Sequence, residues 1–360
     1  MLMLERLKKI DWVLVLSILP LLVAGLISMK SFDGTGDYFF WRQFIWIILG
    51  LAVFFGISFL DLRWLRHSLP LVLIYFSVNA LLLMLIFFGE ATKGAASWIR
   101  FGVFSLEPSE PAKIALILIL AKYFSRRHIE IANIKHIIVS GFYALLPVGM
   151  VFLQPDLGSA MVISALWFGM VMASGISKKH FFILAAAVVS VSAILWLFFL
   201  APYQKARIYS FLNPYLDPSG AGYHTIQTKI AVGSGGLYGR GIGFGSQSRL
   251  EFLPEHQTDF IFAAYAEEWG FLGSVFLIVF FALTVWRVAR IGSSLNDNFG
   301  RLYAVGLGIL LTTQFFVHVG MNVGLLPITG LPLPYVSYGG SSLLTFFAAA
   351  GILMSLKIKS

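Results

Sequence analysis

Apolar residues in this chain come in long runs separated by short polar stretches. Ten runs stand out, at about 11–29, 41–60, 70–89, 109–124, 137–153, 157–175, 180–200, 259–286, 301–325 and 338–356. A helix needs about 20 apolar residues to cross hydrocarbon. Backbone groups in lipid must be satisfied within their own segment, so the runs predict helices. The expectation is an all-α integral membrane protein of about ten transmembrane helices, forming a single polytopic domain over residues 1–360. The first run, Trp12 to Met29, lacks a small-residue cleavage pattern and reads as a span.

The polar stretches set the orientation. If the N-terminus is inside, the inner segments hold Arg6, Lys8 and Lys9, then Arg63 and Arg66, then Lys122, Arg126, Arg127 and Lys135. They continue with Lys178 and Lys179, Arg287, Arg290 and Arg301, and finally Lys357 and Lys359, whereas the outer stretch Pro327 to Ser337 has no basic residue. Both termini are therefore expected in the cytoplasm. Residues 201–258 then form one large extracytoplasmic loop, well beyond the length of ordinary connections. It is basic (Lys205, Arg207, Lys229, Arg240, Arg249) and aromatic (Tyr203, Tyr209, Phe211, Tyr215, Tyr223), which suits an anionic, sugar-bearing or lipid-linked ligand. Its run HTIQTKIAVG reads as a short amphipathic helix on the membrane surface. Its run GSGGLYGRGIGFG matches neither G-x-G-x-x-G nor a phosphate loop. It is read as a flexible or tightly turned segment, or as bare backbone that lets a polymer or headgroup come close.

Composition narrows the class. The 360 residues are 58% hydrophobic and 12% charged, against about 25% charge in soluble domains. The net charge of +9 does not indicate nucleic acid, because most of the cations sit in short loops between spans. There is no cysteine, hence no disulfide framework and no thiol chemistry.

Charges at or inside the spans are the candidate chemistry, since they are costly there and usually paired or functional. Asp259 follows Glu255, His256, Gln257 and Thr258 at the mouth of an apolar run. Thr258 fits an N-cap, with Asp259 in the first turn, where the helix dipole favours an ionised carboxylate. Such an Asp either caps the helix or acts as a base towards a polar substrate. Glu110 and Lys113 are i, i+3 on one helix face, with Ser109 as cap and Pro111 in the first turn. They are a local ion pair at a helix end or a functional one. Asp156 lies between two spans, as a turn or cap residue or as part of a site. Glu267 and Glu268 lie roughly 12 Å deeper than Asp259 along a helix and read as structural. His318 reads as a packing residue, and no His/Cys/Asp/Glu spacing matches a metal site.

Four stretches carry a resemblance: EPSEPAK (107–113), QPDLGSA (154–160), GFGSQSRLEFLPEHQTDFIFAAYAEEWG (243–270) and LPITGLPLPYVSYGGSS (326–342). With the spans and the large loop, they make the chain similar to the SEDS family (shape, elongation, division, sporulation), and most to its rod-shape branch. The resemblance implies a peptidoglycan glycosyltransferase that polymerises lipid II at the outer face of the bacterial cytoplasmic membrane. It implies a class B penicillin-binding protein as crosslinking partner, along with elongation-complex membrane proteins and membrane lipids, and no nucleic acid. The family's essential Asp falls on Asp259, its Glu–Lys pair on Glu110 and Lys113, and its P-D-x-G acid on Asp156. Three positions depart from the pattern: Gln257 stands where His is usual, Ser97 where a basic residue is frequent, and Glu107 where Gln is common.

The chemistry is consistent with that reading. An outer-face enzyme has no ATP, so its donor must arrive activated, as a polyprenyl pyrophosphate sugar does. The site then needs one base and cations for the leaving group. Asp259 fits the base, Lys113, Arg100 and the loop cations fit the leaving group, and Glu255 and Thr258 fit supporting roles. No cofactor is certain, and a divalent Mg or Mn ion could share the leaving group. The rivals are a lipid II flippase and a scaffold that only recruits the penicillin-binding protein.

Overall fold

The computed structural model describes residues 8–31, 37–89, 98–101, 104–126, 134–220, 222–250 and 252–359. Twelve helices carry the architecture: α1 (Trp12–Ser31), α2 (Tyr38–Phe59), α3 (Ser68–Phe88), α4 (Ser109–Ser125), α5 (Ile134–Leu153), α6 (Leu157–Ala173), α7 (Lys178–Ile194), α8 (Pro202–Leu212), α9 (Tyr223–Ser234), α10 (Ile261–Ser294), α11 (Asn298–Asn322) and α12 (Gly340–Lys359). Every predicted run lies on a helix. Among the described residues eight helical segments are long and apolar enough to cross a membrane, α7 counted with its π-helical continuation to Phe199, whereas α4 and α6 have only 17 residues each. The chain is a multi-pass membrane protein. Among the described residues one small departure from all-α interrupts it, a hairpin of β1 (Ile99–Phe101) and β2 (Phe104–Leu106) with Arg100 opposite Ser105.

The short α4 is the centre of the bundle. It packs against α3, α5, α6, α11 and α12 and is buried nearly all round. Protein rather than lipid surrounds it, which is why it tolerates Glu110 and Lys113. Around it, α12 packs along α2, and α10 lies between α1 and α11. Small residues permit the α2–α12 approach: a Cβ on Gly50 would lie 2.2 Å from the Phe347 ring, and one on Gly351 3.0 Å from the Phe54 carbonyl oxygen. Burial is uneven. The most apolar window of α12 is 72% buried within the protein and that of α7 only 6%, so α7 is left to the lipid.

The predicted run 259–286 ends eight residues short of the helix observed. Beyond the apolar stretch, Arg287 on α10 makes a two-pronged bond to Asp11 at 2.7 and 2.7 Å, and Lys357 on α12 joins the same carboxylate at 2.6 Å. This cluster carries the helix past the point where hydropathy falls.

Less than a third of the way along α10 the helix breaks at Gly270 (φ 67, ψ −163). Breaking a membrane helix frees backbone groups that must find other partners. The glycine-rich run of the large loop supplies them. Arg240 and Gly241 donate their amides to the carbonyls of Glu267 and Glu268, and Phe271 and Leu272 donate to the carbonyls of Gly236 and Leu237. The approach is backbone to backbone, because a Cβ on Gly239 would lie 2.1 Å from the Glu268 oxygen. The run is thus a splint across the protein's own broken helix, and the bare backbone it offers is taken up by α10. The predicted amphipathic stretch is α9, which packs on α10 and α11.

Candidate functional site

The turn that carries Asp259 forms before α10 begins. Glu255 adopts a left-handed conformation (φ 52), and its carbonyl receives the amides of Thr258, Asp259 and Phe260. Thr258 is therefore not the N-cap expected of it. The residue preceding the helix is Phe260, with no side-chain cap, and the Thr258 hydroxyl turns back to Glu255 at 3.3 and 3.4 Å. The same sequence pattern allows a cap or a turn, and the Glu255 carbonyl decides it. One helix-end amide is capped instead by a neighbour: Asn322 at the end of α11 accepts from Ala263 N at 3.1 Å and donates to the Asp259 carbonyl at 3.1 Å. Asp259 itself is half-buried, and a Cβ on Gly330 would lie 3.4 Å from its Oδ2.

Gly330 belongs to the segment 323–339 between α11 and α12, which meets the Asp259 turn, α11 and the start of α6. Towards the Asp259 turn, Ser337 Oγ donates to the Thr258 carbonyl at 2.8 Å and Tyr338 N to the Gln257 carbonyl at 2.9 Å. Towards α11, His318 Nδ1 lies 2.6 Å from the Leu331 carbonyl, and Gln314 Nε2 donates to the Pro332 carbonyl at 3.2 Å. Towards α6, a Cβ on Gly158 would lie 2.7 Å from the Thr329 carbonyl oxygen. Asp156 is the N-cap of that helix, accepting from Ser159 N at 3.0 Å. Asp259 and Asp156 thus stand at two turns that contact the same three-residue stretch, 329–331.

Beneath it lies a buried cluster at the start of α4. Lys113 Nζ is 2.8 Å from Glu110 Oε1, with side chains 0% and 1% exposed, and also donates to Gln314 Oε1 at 3.4 Å. Ser109, expected as the cap of α4, is its first residue. Its hydroxyl donates to Glu107 Oε1 at 2.7 Å and meets Ser159 Oγ at 3.4 Å. Burial first, then the neighbouring Glu110 and Asp156, push the Glu107 carboxyl up to about 8, against the pull of Lys113 and Ser109. Arg100 lies on β1 and its side chain is outside the described residues, as is Ser97 altogether. Among the described residues no group of three or more His, Cys, Asp or Glu converges to hold a metal ion.

Glu267 and Glu268 are buried and hydrogen-bonded, and their partners lie mostly in the loop rather than on neighbouring helices. Glu267 accepts from the Gln247 and Ser248 amides and the Ser246 hydroxyl, and Glu268 from Ser31 Oγ and Gly243 N. Of the loop cations, Lys229 lies along the start of segment 323–339, its Cε 2.0 Å from where a Gly324 Cβ would stand. Gln314 and Asn322 carried no sequence signal and Ser337 only as part of the 326–342 motif, because their bonds go largely to main-chain groups that any residue would offer.

Comparison with known proteins adds the family. A family model described as cell cycle protein, covering FtsW, RodA and SpoVE, matches residues 7–360. The peptidoglycan glycosyltransferase MrdB of Escherichia coli K12 is 38% identical over 350 residues, 96% of this chain and 93% of that protein. Stage V sporulation protein E of Bacillus subtilis is 37% identical, with 96% of each chain covered. The rod shape determining protein RodA of Thermus thermophilus superposes with a TM-score of 0.72 at 28% identity, covering 96% of both chains. A chain from a structure described as "Structural coordination of polymerization and crosslinking by a peptidoglycan synthase complex" gives 0.82 at 31% identity, covering 96% of this chain and 97% of that one. A match across nearly the whole chain, on a fold that gathers the motif residues around one segment, leaves one assignment: the chain belongs to the FtsW, RodA and SpoVE family of cell cycle proteins, the SEDS family its motifs resemble.

Proposed function

We propose that this protein is a peptidoglycan glycosyltransferase that polymerises lipid II at the outer face of the cytoplasmic membrane, with both termini inside and Asp259 as general base. The full-length similarity to proteins named peptidoglycan glycosyltransferase supports the reaction class. The observation that carries the site is a half-buried carboxylate in a turn just ahead of a membrane helix, against Gly330 and within reach of the large loop. A polar acceptor reaches such a group from water while the donor's lipid stays in the bilayer.

In one displacement the acceptor sugar hydroxyl attacks the donor anomeric carbon from the face opposite the pyrophosphate. The new C–O bond forms as the bond to pyrophosphate breaks, the hydroxyl proton passes to Asp259, and the α-linked donor becomes a β-1,4 linkage. Pyrophosphate leaves as an anion and needs cations more than an acid. Lys229 and Arg100 fit that need, while Lys113, buried against Glu110, supports the site from beneath. Asp156 holds the turn opposite, and Glu255 and Thr258 shape the turn that presents Asp259.

The partner is a class B penicillin-binding protein, whose single span would lie on the exposed face of α10 marked by Phe276, Val279 and Trp286. The remainder of that apolar surface meets membrane lipids and the other membrane proteins of the elongation complex. The experiment is polymerisation of purified lipid II by the purified protein, with and without its partner. Glycan strands are the expected product. Movement of lipid II across vesicles without polymer would establish the flippase instead.

A further inference from the structure

We propose that Glu107 is a positioning residue that holds a proton while the site works, so that Lys113 keeps Glu110 as its carboxylate partner and the cluster adds no further negative charge facing an anionic donor. This rests on the polymerase reading above.

Glu107 and Glu110 lie three residues apart at the entry to α4, and Ser109 Oγ, which donates to Glu107 at 2.7 Å, meets Ser159 Oγ at 3.4 Å beside the Asp156 cap, with Lys113 as the ammonium bonded to Glu110. That ammonium is committed, 2.8 Å from Glu110 and shared, among the described residues, with the neutral Gln314 amide. The nearest polar groups to Glu107 are neutral as well: Ser109 Oγ donates to its carboxyl, and Ser341 Oγ at the start of α12 accepts from its amide. On the hairpin that leads into it, the charged residue is Arg100, whose side chain lies outside the described residues. Glu107 is only 9% exposed, so water screens it little. A second unpaired negative charge in such a place is costly, and the group neutralises itself by keeping its proton. Its carboxyl stands at about 8. At neutral pH it is a neutral acid, close in shape and hydrogen bonding to a glutamine. Ionised, it competes with Glu110 for Lys113 and repels pyrophosphate.

The test is a pH profile of lipid II polymerisation alongside infrared titration of the same protein. The native protein should lose rate through an alkaline midpoint near about 8, and the carbonyl stretch of a protonated carboxyl should vanish over the same range. Glu107→Gln should remove that limb, so that the ratio of alkaline to neutral rate rises to near one, and should remove the infrared band. Ser109→Ala deletes a hydrogen bond that favours the charged form, so it should move both midpoints to higher pH, and it serves if Glu107→Gln does not fold. An unchanged alkaline limb in Glu107→Gln, or a native protein with no protonated-carboxyl band at neutral pH, overturns the proposal. A native protein that shows the band but polymerises nothing at any pH overturns the polymerase reading instead, and with it the role assigned to Glu107.

Discussion

Asp259 and the Glu267–Glu268 pair are carboxylates only eight and nine residues apart, all ahead of the break at Gly270. Their surroundings differ. The two glutamates are 0% and 3% exposed and saturated by amides and hydroxyls from the loop and from Ser31. Asp259 is half-buried, in a turn whose backbone is held by Glu255, Asn322 and, through Thr258, Ser337. A carboxylate shut away from solvent holds structure together, whereas a half-buried one in a turn of fixed backbone lies where a substrate can reach it. Rigid support with an accessible side chain is what a general base needs.

The sharpest way to break this division is at the buried pair under the site. Lys113→Ala leaves Glu110 charged and unpartnered in the bundle, which should cost about 3–5 kcal/mol. Thermal unfolding in detergent should show the loss, with Glu110→Gln/Lys113→Gln recovering much of it. Equal loss in the double variant would mean that Lys113 does more than neutralise Glu110.

A smaller loss is expected at the splint. Gly270→Ala forces a residue with a Cβ into a backbone region essentially reserved for glycine, about 1–3 kcal/mol. It also drives that Cβ to 2.2 Å from Gly239 N. Protection of the Phe271 and Leu272 amides in hydrogen exchange should fall together with stability. If those amides stay protected, the loop is not what holds the break.

Much of this was legible and some was not, for identifiable reasons. Spans came from hydropathy, since lipid imposes one pattern on all of them. The acids themselves were visible as charges where charge is expensive. Their partners were not, because Ser31 lies more than two hundred residues from Glu268 and Gly243 bonds through its backbone. The glycine run was legible as close backbone approach, but not as approach to the protein's own helix, since the break at Gly270 has no mark beyond one more glycine. Segment 323–339 was legible as a motif and opaque as a hub, because it works through the carbonyls of Leu331, Pro332 and Ser337. Thr258 was misread because caps and turns share the same residue types.

Glu267→Gln sharpens the comparison at lower cost. It keeps the shape and weakens charge-assisted bonds from the Gln247 and Ser248 amides, so about 1–3 kcal/mol of stability should be lost. Polymerisation should change far less than it does at Asp259. A loss of activity as large as that of an Asp259 variant, in folded protein, would erase the distinction drawn between the two.

Topology is expected to be readable with no energetic effect. The chain has no cysteine, and Tyr215 in the large loop is 77% exposed. Tyr215→Cys should react with a membrane-impermeant maleimide on intact spheroplasts, and labelling only after lysis would turn the orientation over.

The central claim is tested most directly by Asp259→Asn in a lipid II polymerisation assay on purified, well-folded protein. Asparagine keeps the size of the side chain and leaves the main-chain bond from Asn322 in place, but it cannot take the acceptor's proton. Positioned general-base catalysis contributes about 10²–10⁴, so the rate should fall by roughly 100-fold or more, with unfolding temperature and partner binding unchanged. Glycan made at the native rate by Asp259→Asn would contradict the account and leave Asp259 a residue of the turn alone.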